Sequence, residues 1–339
     1  MPRSELIVDL GAIRRNARTL LRALGGSELW AVVKADGYGH GAVDVSRAAV
    51  EAGARALCVA TVPEALVLRQ ALGPVRLVVL GPASTQETRQ ARHAGLELVV
   101  AAGRIPEGVP VHLKLDTGMG RWGLAELPAP GPEVVGLMSH FASADCDASF
   151  TELQLERFLA ATDAHAALTR HIANSAGALR HPASRLDAAR CGIALYGISP
   201  FGGDPGDDGL EPALRWVSEL AQVKLLRSGE STGYGRRWIA DRPTWIGIVP
   251  VGYADGFRRD LTGTRVRVAG ELRRVVGTIS MDAFAVELGA ELPVGTPVTL
   301  LGDGVRAEAH AQVAGTIAYE LVTGIRASDE RADRVVADG

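Results

Sequence analysis

The chain has 339 residues, of which 47% are hydrophobic and 22% are charged, which is typical of a soluble globular protein. A formal net charge of −3 excludes the strongly basic character of most nucleic-acid-binding proteins. No run of about 18 uncharged apolar residues is present, so no membrane-spanning helix is expected. The amino-terminus also lacks the apolar core of a signal peptide, and we predict a cytoplasmic protein.

The three cysteines, Cys58, Cys146 and Cys191, have neither the number nor the spacing of a disulfide framework or a zinc site. Each is expected to be a small buried apolar residue. We therefore predict no bound metal and a reducing cellular compartment. At this length the chain can form one large barrel or two domains.

Apolar segments alternate with helical ones over roughly the first 200 residues. Residues 6–8 predict a short strand, and Ile13, Ala17 and Leu20 then recur at helical spacing, which predicts a helix capped near Asp9. Most of the strands predicted after this helix are continuous apolar runs, as expected for strands buried on both faces. Eight such strands with intervening helices predict an α/β fold, a (β/α)8 barrel of the TIM type. The predicted strands are residues 30–33, 56–60, 76–80, 96–101, 111–115, 134–139, 169–173 and 187–191.

Two connections are too short for a complete barrel. Residues 103–110 and 125–133 follow the fourth and fifth strands, and both segments are rich in proline. A parallel crossover with its helix normally needs at least about 10–12 residues. We therefore predict shortened crossovers after strands 4 and 5, in which the helix is missing or reduced to a turn.

A change of pattern marks the end of the barrel. Residues 199–209 are rich in glycine, proline and aspartate, as in a surface linker. We therefore predict two domains, a barrel at residues 1–209 and a mainly β domain at residues 210–339. Short strands are predicted in the second domain at residues 220–226, 244–251, 264–268, 273–276, 283–288 and 297–301, with one helix at 311–322.

The most unusual polar residue is Lys34, which ends the first barrel strand and leads into a glycine-rich turn that contains Tyr38. A lysine at the end of a buried strand is costly unless its amine has a partner or a task. Desolvation lowers the pKa of a lysine and makes the neutral amine available for Schiff-base chemistry. A solvated lysine at a strand end is the simpler alternative.

Other polar residues also fall at the carboxyl ends of predicted strands, where barrels of this type carry their functional groups. Lys114 precedes the loop that contains Arg121, His140 follows strand six, and Arg190 lies near the end of strand eight. A hydrogen-bonded buried histidine and a structural ion pair are the alternatives for His140 and Arg190. Their convergence on one face predicts a single site.

Strands seven and eight are where such barrels often bind a phosphate. The hydroxyl of Ser175 and the backbone amides of Gly192 and Ile193 would supply donors beside a helix amino-terminus. Alternatively, Ser175 caps a helix and Gly192 only permits a turn.

Further motifs extend over nearly the whole chain. Together with the segment around Lys34, they resemble in order and approximate spacing the motifs of alanine racemases, which are fold-type III enzymes that use pyridoxal 5'-phosphate (PLP). The resemblance implies a PLP-binding barrel, a carboxyl-terminal β domain and a homodimer with shared active sites. The motifs lie at residues 30–41, 171–176, 190–197, 233–235, 251–256, 280–282 and 319–320.

The resemblance also implies a two-base mechanism. Lys34 would bind PLP covalently and act as one base, and Tyr234 from the partner subunit would act on the opposite face of the planar carbanion. His140 and Arg190 match a hydrogen-bond chain from that tyrosine to the pyridine nitrogen of PLP. Arginine keeps its proton, which leaves the pyridine nitrogen unprotonated and suits a brief carbanion. The implied function is the interconversion of L-alanine and D-alanine for peptidoglycan synthesis.

The remaining matched positions concern the substrate, the cofactor phosphate and the entrance. By resemblance, Arg121 and the backbone amide of Met281 bind the carboxylate of a small amino acid, and Lys114 is carbamylated. The matched phosphate ligands are Tyr38, Ser175, Gly192, Ile193 and Tyr319. The matched entrance residues are Tyr253, Tyr319, Asp282 and Arg259.

One position departs from the family pattern. Thr278 stands where many relatives have an arginine in the entrance channel, so a racemase of other small amino acids, such as serine, is an alternative. A PLP-binding protein without catalysis is a second alternative. Such proteins resemble the barrel but lack the β domain, and Tyr234 and the motif at 280–282 argue against this interpretation.

Overall fold

The computed structural model describes residues 3–328 and 330–339. The chain divides into two compact units, one formed by Ala12–Glu211 and the other by Pro212–Gly339 with the residues up to Gly11. Its first elements are strand β1 (Glu5–Asp9) and helix α1 (Leu10–Leu24). Among the described residues, no helix is both long enough and apolar enough to cross a membrane.

The first unit is a nearly closed barrel of eight parallel strands, which confirms the predicted fold. The two strands at the ends of the hydrogen-bonded order are joined by backbone bonds from Asp187 to Arg170 (N–O 3.1 Å) and from Arg190 to Ala173 (2.9 Å). Several strands are buried along their whole length, as continuous apolar runs predict. The strands are β2 (Glu28–Val32), β3 (Ala56–Val59), β4 (Leu77–Val79), β5 (Glu97–Val100), β6 (Val111–Lys114), β7 (Val134–Met138), β8 (Thr169–His171) and β9 (Ala188–Cys191).

Helices connect most of these strands, but residues 101–110 and 115–133, all of which are described, contain none. The fourth and fifth predicted barrel strands are β5 and β6 of the structure, so the prediction of shortened crossovers after strands 4 and 5 is confirmed. Two of the helices begin with a complete capping box, Thr61 with Glu64 and Ser84 with Glu87. After α1, the helices of this unit are α2 (Lys34–Tyr38), α3 (Ala42–Glu51), α4 (Val62–Leu72), α5 (Thr85–Ala94), α6 (Ala148–Thr162) and α7 (Ser175–Arg180).

The second unit is mainly β, as predicted. Among the described residues, nine strands form one sheet in the order β11-β14-β17-β16-β15-β18-β10-β1-β19, and β12 pairs with β13 separately. Neighbours in the large sheet are antiparallel except for β1 and β19. The elements are β10 (Leu214–Glu219), β11 (Gln222–Leu226), β12 (Ser231–Thr232), β13 (Trp238–Ile239), β14 (Thr244–Val249), β15 (Arg265–Val268), β16 (Glu271–Val276), β17 (Phe284–Leu288), β18 (Pro297–Leu301), α8 (Ala307–Ala314), α9 (Ala318–Thr323) and β19 (Asp333–Ala337).

Two details differ from the sequence predictions. The predicted domain boundary places residues 1–209 in the barrel, whereas β1 pairs with β10 and β19 in the β unit. The physical reason is that β1 alternates buried Leu6 and Val8 with partly exposed residues, as a strand covered on one face does. The single helix predicted at 311–322 is two helices, because Gly315 adopts a left-handed conformation (φ 65°) and ends α8.

Candidate active site

Lys34 begins a turn with an unusual backbone. The next residues, Ala35, Asp36 and Gly37, have φ angles of 52°, 51° and 62°, and Tyr38 has a φ of 52°. For residues other than glycine, a left-handed conformation costs about 1–2 kcal/mol each. Strain of this kind persists only where the surroundings enforce it, and it is concentrated at functional sites.

A carboxylate from a neighbouring helix holds this turn. Glu64 Oε1 accepts a hydrogen bond from the Ala35 amide (2.8 Å), and Oε2 accepts from the amides of Ala60 (2.7 Å) and Thr61 (3.0 Å). The same side chain therefore closes the capping box of α4 and fixes the backbone directly after Lys34. Sequence reasoning missed Glu64, although the Thr61–Glu64 spacing is a capping-box signal.

Removing this carboxylate should weaken the barrel unit more than the loss of an ordinary helix cap. We expect Glu64→Gln to lower the free energy of unfolding by about 2 kcal/mol, because hydrogen bonds to charged groups contribute about 1.5–3 kcal/mol. Glu87→Gln is the matched control, since Glu87 closes the same box on α5. We expect it to cost about 1 kcal/mol, as helix caps do. Urea denaturation measures both, and equal losses would contradict a special role for Glu64.

The pKa of Lys34 is lowered from its ordinary value by burial and then by the positive charge of Arg121, while Glu64 partly raises it. A lowered pKa increases the fraction of neutral amine, which is the nucleophilic form. Lys34 is half-buried, so a fully solvated lysine does not describe this residue.

Several of the predicted site residues lie close enough to shift one another's pKa values. Burial lowers the pKa of Lys114 to about 8, helped by the charges of Arg190, Arg121 and Lys34. Burial, followed by the charges of Arg190, Lys114, Arg121 and Lys34, holds the pKa of His140 well below its ordinary value. The carboxyl ends of strands β2, β6, β7 and β9 therefore bring these residues together, as expected for a barrel.

Arg190 is buried and is held by backbone carbonyls and two histidines. Its NH2 donates to the carbonyl of Ser139 (2.7 Å) and lies 3.1 Å from His140 Nδ1, while its NH1 lies 2.6 Å from His171 Nδ1. Burial lowers the pKa of Arg190 to about 10, so the guanidinium remains charged at neutral pH. Within the described part of the chain Arg190 forms no ion pair, so the alternative of a structural ion pair is wrong.

The loop that carries Arg121 is organised by Asp116. One carboxylate oxygen of Asp116 accepts from the amides of Gly118 (2.9 Å) and Met119 (2.8 Å), and the other accepts from Gly120 (3.0 Å). The loop then returns to strand β6 through backbone bonds of Leu124. Arg121 is thus presented at an exposed position by a short, internally bonded loop.

A cradle of donors forms where strands β8 and β9 end. Ser175 Oγ accepts from the amides of Gly192 (3.1 Å) and Ala194 (3.4 Å), whereas Asn174 caps helix α7 through the Gly177 amide. The alternative that Ser175 is the helix cap is therefore wrong. A Cβ at Gly192 would lie 2.4 Å from the Tyr38 hydroxyl, so only glycine fits there.

These groups suit a phosphate-bearing cofactor. Two hydroxyls, Tyr38 and Ser175, lie beside the backbone at Gly192, and the cradle is close to a helix amino-terminus. The Tyr38 ring stacks on buried Tyr196 with ring centroids 4.9 Å apart, which fixes its direction. Ile193 follows in a short 3-10 turn, Ile193–Tyr196. With Lys34 and Arg190 nearby in the same barrel, the residues present fit a PLP-type cofactor.

In the second unit, Tyr234 is held outward by its backbone. Its side chain is 71% exposed, and its carbonyl accepts a hydrogen bond from Thr278 Oγ1 (2.9 Å). Gly233 has a φ of 77°, and a Cβ there would lie 2.6 Å from the Thr278 amide nitrogen. Thr278, where the family pattern has an arginine, therefore supports the turn that presents Tyr234.

A second set of loops in this unit joins Tyr253 to Met281. The Tyr253 amide donates to the Ser280 carbonyl (3.1 Å), and the Ala254 amide donates to the Met281 carbonyl (3.0 Å). The side chains of Tyr253 and Met281 are exposed. Arg331 links the two loops, since its NH1 donates to Asp255 Oδ1 (3.1 Å) and Asp282 Oδ1 (2.9 Å).

These hydrogen bonds give the loops an electrostatic anchor. The hydrogen bond from Arg331 is the main reason why the pKa of Asp282 lies below its ordinary value. Sequence reasoning missed Arg331, which lies 76 positions from Asp255 and belongs to no local motif.

The last two predicted entrance residues lie on adjoining segments. Arg259 is exposed at the start of a short 3-10 turn, and Tyr319 is half-buried in α9. An ion pair between their sequence neighbours, Arg258 and Glu320, ties the two segments together.

Comparison with known proteins identifies the relatives of this chain. The alanine racemase N-terminal domain family matches residues 8–200, and the alanine racemase C-terminal domain family matches residues 213–335. An alanine racemase of Symbiobacterium thermophilum is 40% identical, with 94% of this chain and 93% of the relative covered.

Solved structures agree with this assignment. The biosynthetic alanine racemase of Pseudomonas aeruginosa superposes with a TM-score of 0.91 at 37% identity, covering 99% of this chain and 100% of that chain. An alanine racemase of Bacillus anthracis with bound L-Ala-P has a TM-score of 0.85 at 32% identity, covering 99% and 95%. The likeness therefore spans both units of the chain.

Proposed function

The chain belongs to the alanine racemase family, and we propose that it interconverts L-alanine and D-alanine with PLP by a two-base mechanism. The observation that carries the proposal is half-buried Lys34, whose pKa is lowered, at the end of a barrel strand in the same barrel as buried Arg190 and its hydrogen-bonded partner His140. When bound, PLP supplies the electron sink that acidifies the Cα proton of an amino acid. Lys34 would hold the cofactor covalently, and the Tyr38–Ser175–Gly192 cradle would bind its phosphate with Ile193 and Tyr319.

Positive charge in the barrel supports the binding of a substrate carboxylate. Arg121 is exposed, and we propose that it binds the substrate carboxylate together with the Met281 amide. The guanidinium of Arg190, charged at neutral pH, has no proton to give to the cofactor's pyridine nitrogen. Arg190 would therefore leave that nitrogen unprotonated, which would favour a brief loss and return of the Cα proton over slower side reactions.

Proton transfer needs a base on each face of Cα. We propose that Lys34 serves one face and that Tyr234 of the partner subunit serves the other, so the chain works as a homodimer with shared sites. The high exposure of Tyr234 in a single chain supports this arrangement. His140, neutral because its pKa is lowered, would connect the tyrosine to Arg190. We propose a cytoplasmic enzyme that supplies D-alanine for peptidoglycan.

Lys114 is proposed to be carbamylated. A pKa of about 8 leaves much of the amine neutral near that pH, and the neutral amine is the form that reacts with carbon dioxide. The product would replace a cation near Arg121 with an anion, which relieves the repulsion between the two. A carbamate 13C signal from protein equilibrated with labelled bicarbonate, lost in Lys114→Met, would support this, and its absence from the wild type would refute it.

The direct test is racemisation measured by polarimetry with and without added PLP. We expect activity with alanine that depends on PLP, and lower activity with serine, arginine and lysine. A preference for serine would favour the alternative based on Thr278. PLP binding without racemisation of any of these amino acids would instead make the chain a cofactor-binding protein. Thr278 itself is buried and bonded to the Tyr234 carbonyl, which argues that it supports the alanine site.

A further inference from the structure

A continuous chain of polar side chains crosses the inside of the barrel behind Arg190. Glu97 Oε2 lies 2.7 Å from His112 Nε2, His112 Nδ1 lies 3.0 Å from His171 Nε2, and His171 Nδ1 lies 2.6 Å from Arg190 NH1. His112 and His171 are completely buried. The proposed function gives no task to Glu97, His112 or His171.

The outer end of this chain is an ionised carboxylate. Burial raises the pKa of Glu97, but hydrogen bonds from His112 and Arg76 outweigh burial, so the pKa lies below its ordinary value. Arg76 binds Glu97 through two hydrogen bonds, from Nε (2.8 Å) and NH2 (3.0 Å). Arg76 also lines an open cavity of about 510 Å³ with Glu28, at the amino ends of the strands.

At these distances, the donor and acceptor capacities of the four side chains permit only one set of proton positions. Because ionised Glu97 only accepts, His112 must carry a proton on Nε2. Because Arg190 only donates, His171 must accept through Nδ1 and therefore carries its proton on Nε2. His112 Nδ1 must then accept from His171. A doubly protonated His112 would place its Nδ1–H against the Nε2–H of His171, so both histidines are neutral. Arg190 therefore donates to His171, His171 donates to His112, and His112 donates to Glu97.

The surrounding residues fix the ring planes. Trp30 packs against His171 with ring centroids 4.4 Å apart and against His112 at 5.5 Å, and its own Nε1 donates to Glu28 (2.8 Å). A Cβ at position 136 would lie 2.1 Å from His112 Nδ1, so only glycine leaves room for this imidazole. Such confinement keeps the hydrogen-bond chain in one geometry.

We propose that Glu97 and His112 are positioning residues for Arg190, because the carboxylate sets the proton positions of both histidines and thereby the direction in which Arg190 donates. The effect on catalysis rests on the proposed function of Arg190 beside the pyridine nitrogen, whereas the proton positions do not. An uncharged amide at 97 could donate to His112 Nε2, move the His112 proton to Nδ1 and set it against the proton on His171. Arg190 would then lose one of its acceptors, His171 Nδ1, while its bond to the Ser139 carbonyl remains.

The experiment compares Glu97→Gln with Glu28→Gln in protein labelled with 15N-histidine, without added cofactor. Glu28 is the matched control, because it lies 3.6 Å from Arg76 and bonds Trp30 but contacts neither histidine. Two-bond 1H–15N spectra report which ring nitrogen carries the proton. We expect the Nε2-protonated form for both histidines in the wild type, and a changed His171 pattern in Glu97→Gln only, although residue 97 does not touch His171.

Activity is the second measurement. We expect Glu97→Gln to lower kcat by about 10- to 100-fold with little change in KM, comparable to the loss when a carboxylate behind a metal-bound histidine is removed. Glu28→Gln should remain near the wild type. An unchanged His171 pattern in Glu97→Gln would overturn the proposal, and so would a wild-type His112 protonated on Nδ1, even if the variant fails to fold. Expected spectra in a wild type without racemase activity would refute only the proposed function.

Discussion

Lys34→Ala is expected to abolish both racemisation and the absorption band of the lysine-linked cofactor. The substitution removes the amine from the left-handed turn that Glu64 holds at the end of β2. No other lysine of the turn could take its place. Loss of a general acid–base group alone costs about 10²–10⁴-fold, and the covalent attachment is lost as well. We therefore expect a fall in kcat of at least about a thousandfold.

The low lysine content makes this experiment clear to interpret. The chain contains only Lys34, Lys114 and Lys224. Lys224 is exposed on β11 in the β unit, so Lys224→Ala is the matched control and should keep the band and the activity. Lys114, with a pKa of about 8, is the one competing amine in the barrel. If the band survived in Lys34→Ala, the assignment of Lys34 would be wrong, and a double variant with Lys114→Met would locate the true attachment.

The sequence was sufficient to predict the barrel because its signals are local. Strands buried on both faces are visible as apolar runs, and the length of residues 103–110 alone shows that no helix fits there. The position of β1 was not predictable in this way. Its two partners, β10 and β19, lie more than two hundred residues further along the chain.

In the site, too, only the residues with a local sequence signal were predictable. Lys34, His140 and Arg190 stand at strand ends, so the barrel topology alone predicts that they converge. Arg331 bonds to Asp255, 76 positions away, and Glu97 bonds to His112 on the neighbouring strand, 15 positions away. No local sequence motif identifies either partner.

The conformation of the turn after Lys34 was also not predictable from the sequence. Ala35 and Tyr38 are not residues that favour a left-handed conformation, so local preference predicts against it at these two positions, whereas an aspartate such as Asp36 adopts it more readily. The turn is imposed by its surroundings, including the Glu64 carboxylate and a bond from the Ala42 amide to Asp36 (2.9 Å). Tertiary contacts therefore determine the backbone at the residue on which the chemistry is proposed to depend.

Tyr234→Phe should slow proton transfer on one face of the substrate only. The change removes a hydroxyl from an exposed side chain, so the free energy of unfolding should hardly change. We expect racemisation to fall by about 10²–10⁴-fold. Exchange of the Cα proton with deuterated solvent should survive for the enantiomer that Lys34 serves and be lost for the other. Equal loss of exchange for both enantiomers would count against a one-sided base.

Mixing the two inactive variants tests whether Tyr234 acts across a dimer. In a dimer of Lys34→Ala with Tyr234→Phe, a shared site would combine an intact lysine from one chain with an intact tyrosine from the other. After unfolding and refolding an equal mixture, activity should return to about a quarter of the wild-type value, because half of the dimers are mixed and each has one intact site of two. If lysine and tyrosine instead acted within one chain, every site in the mixture would lack one base and no activity would return. The activity of Tyr234→Phe before mixing is the control. If Tyr234 had no catalytic part, this variant would already be active on its own.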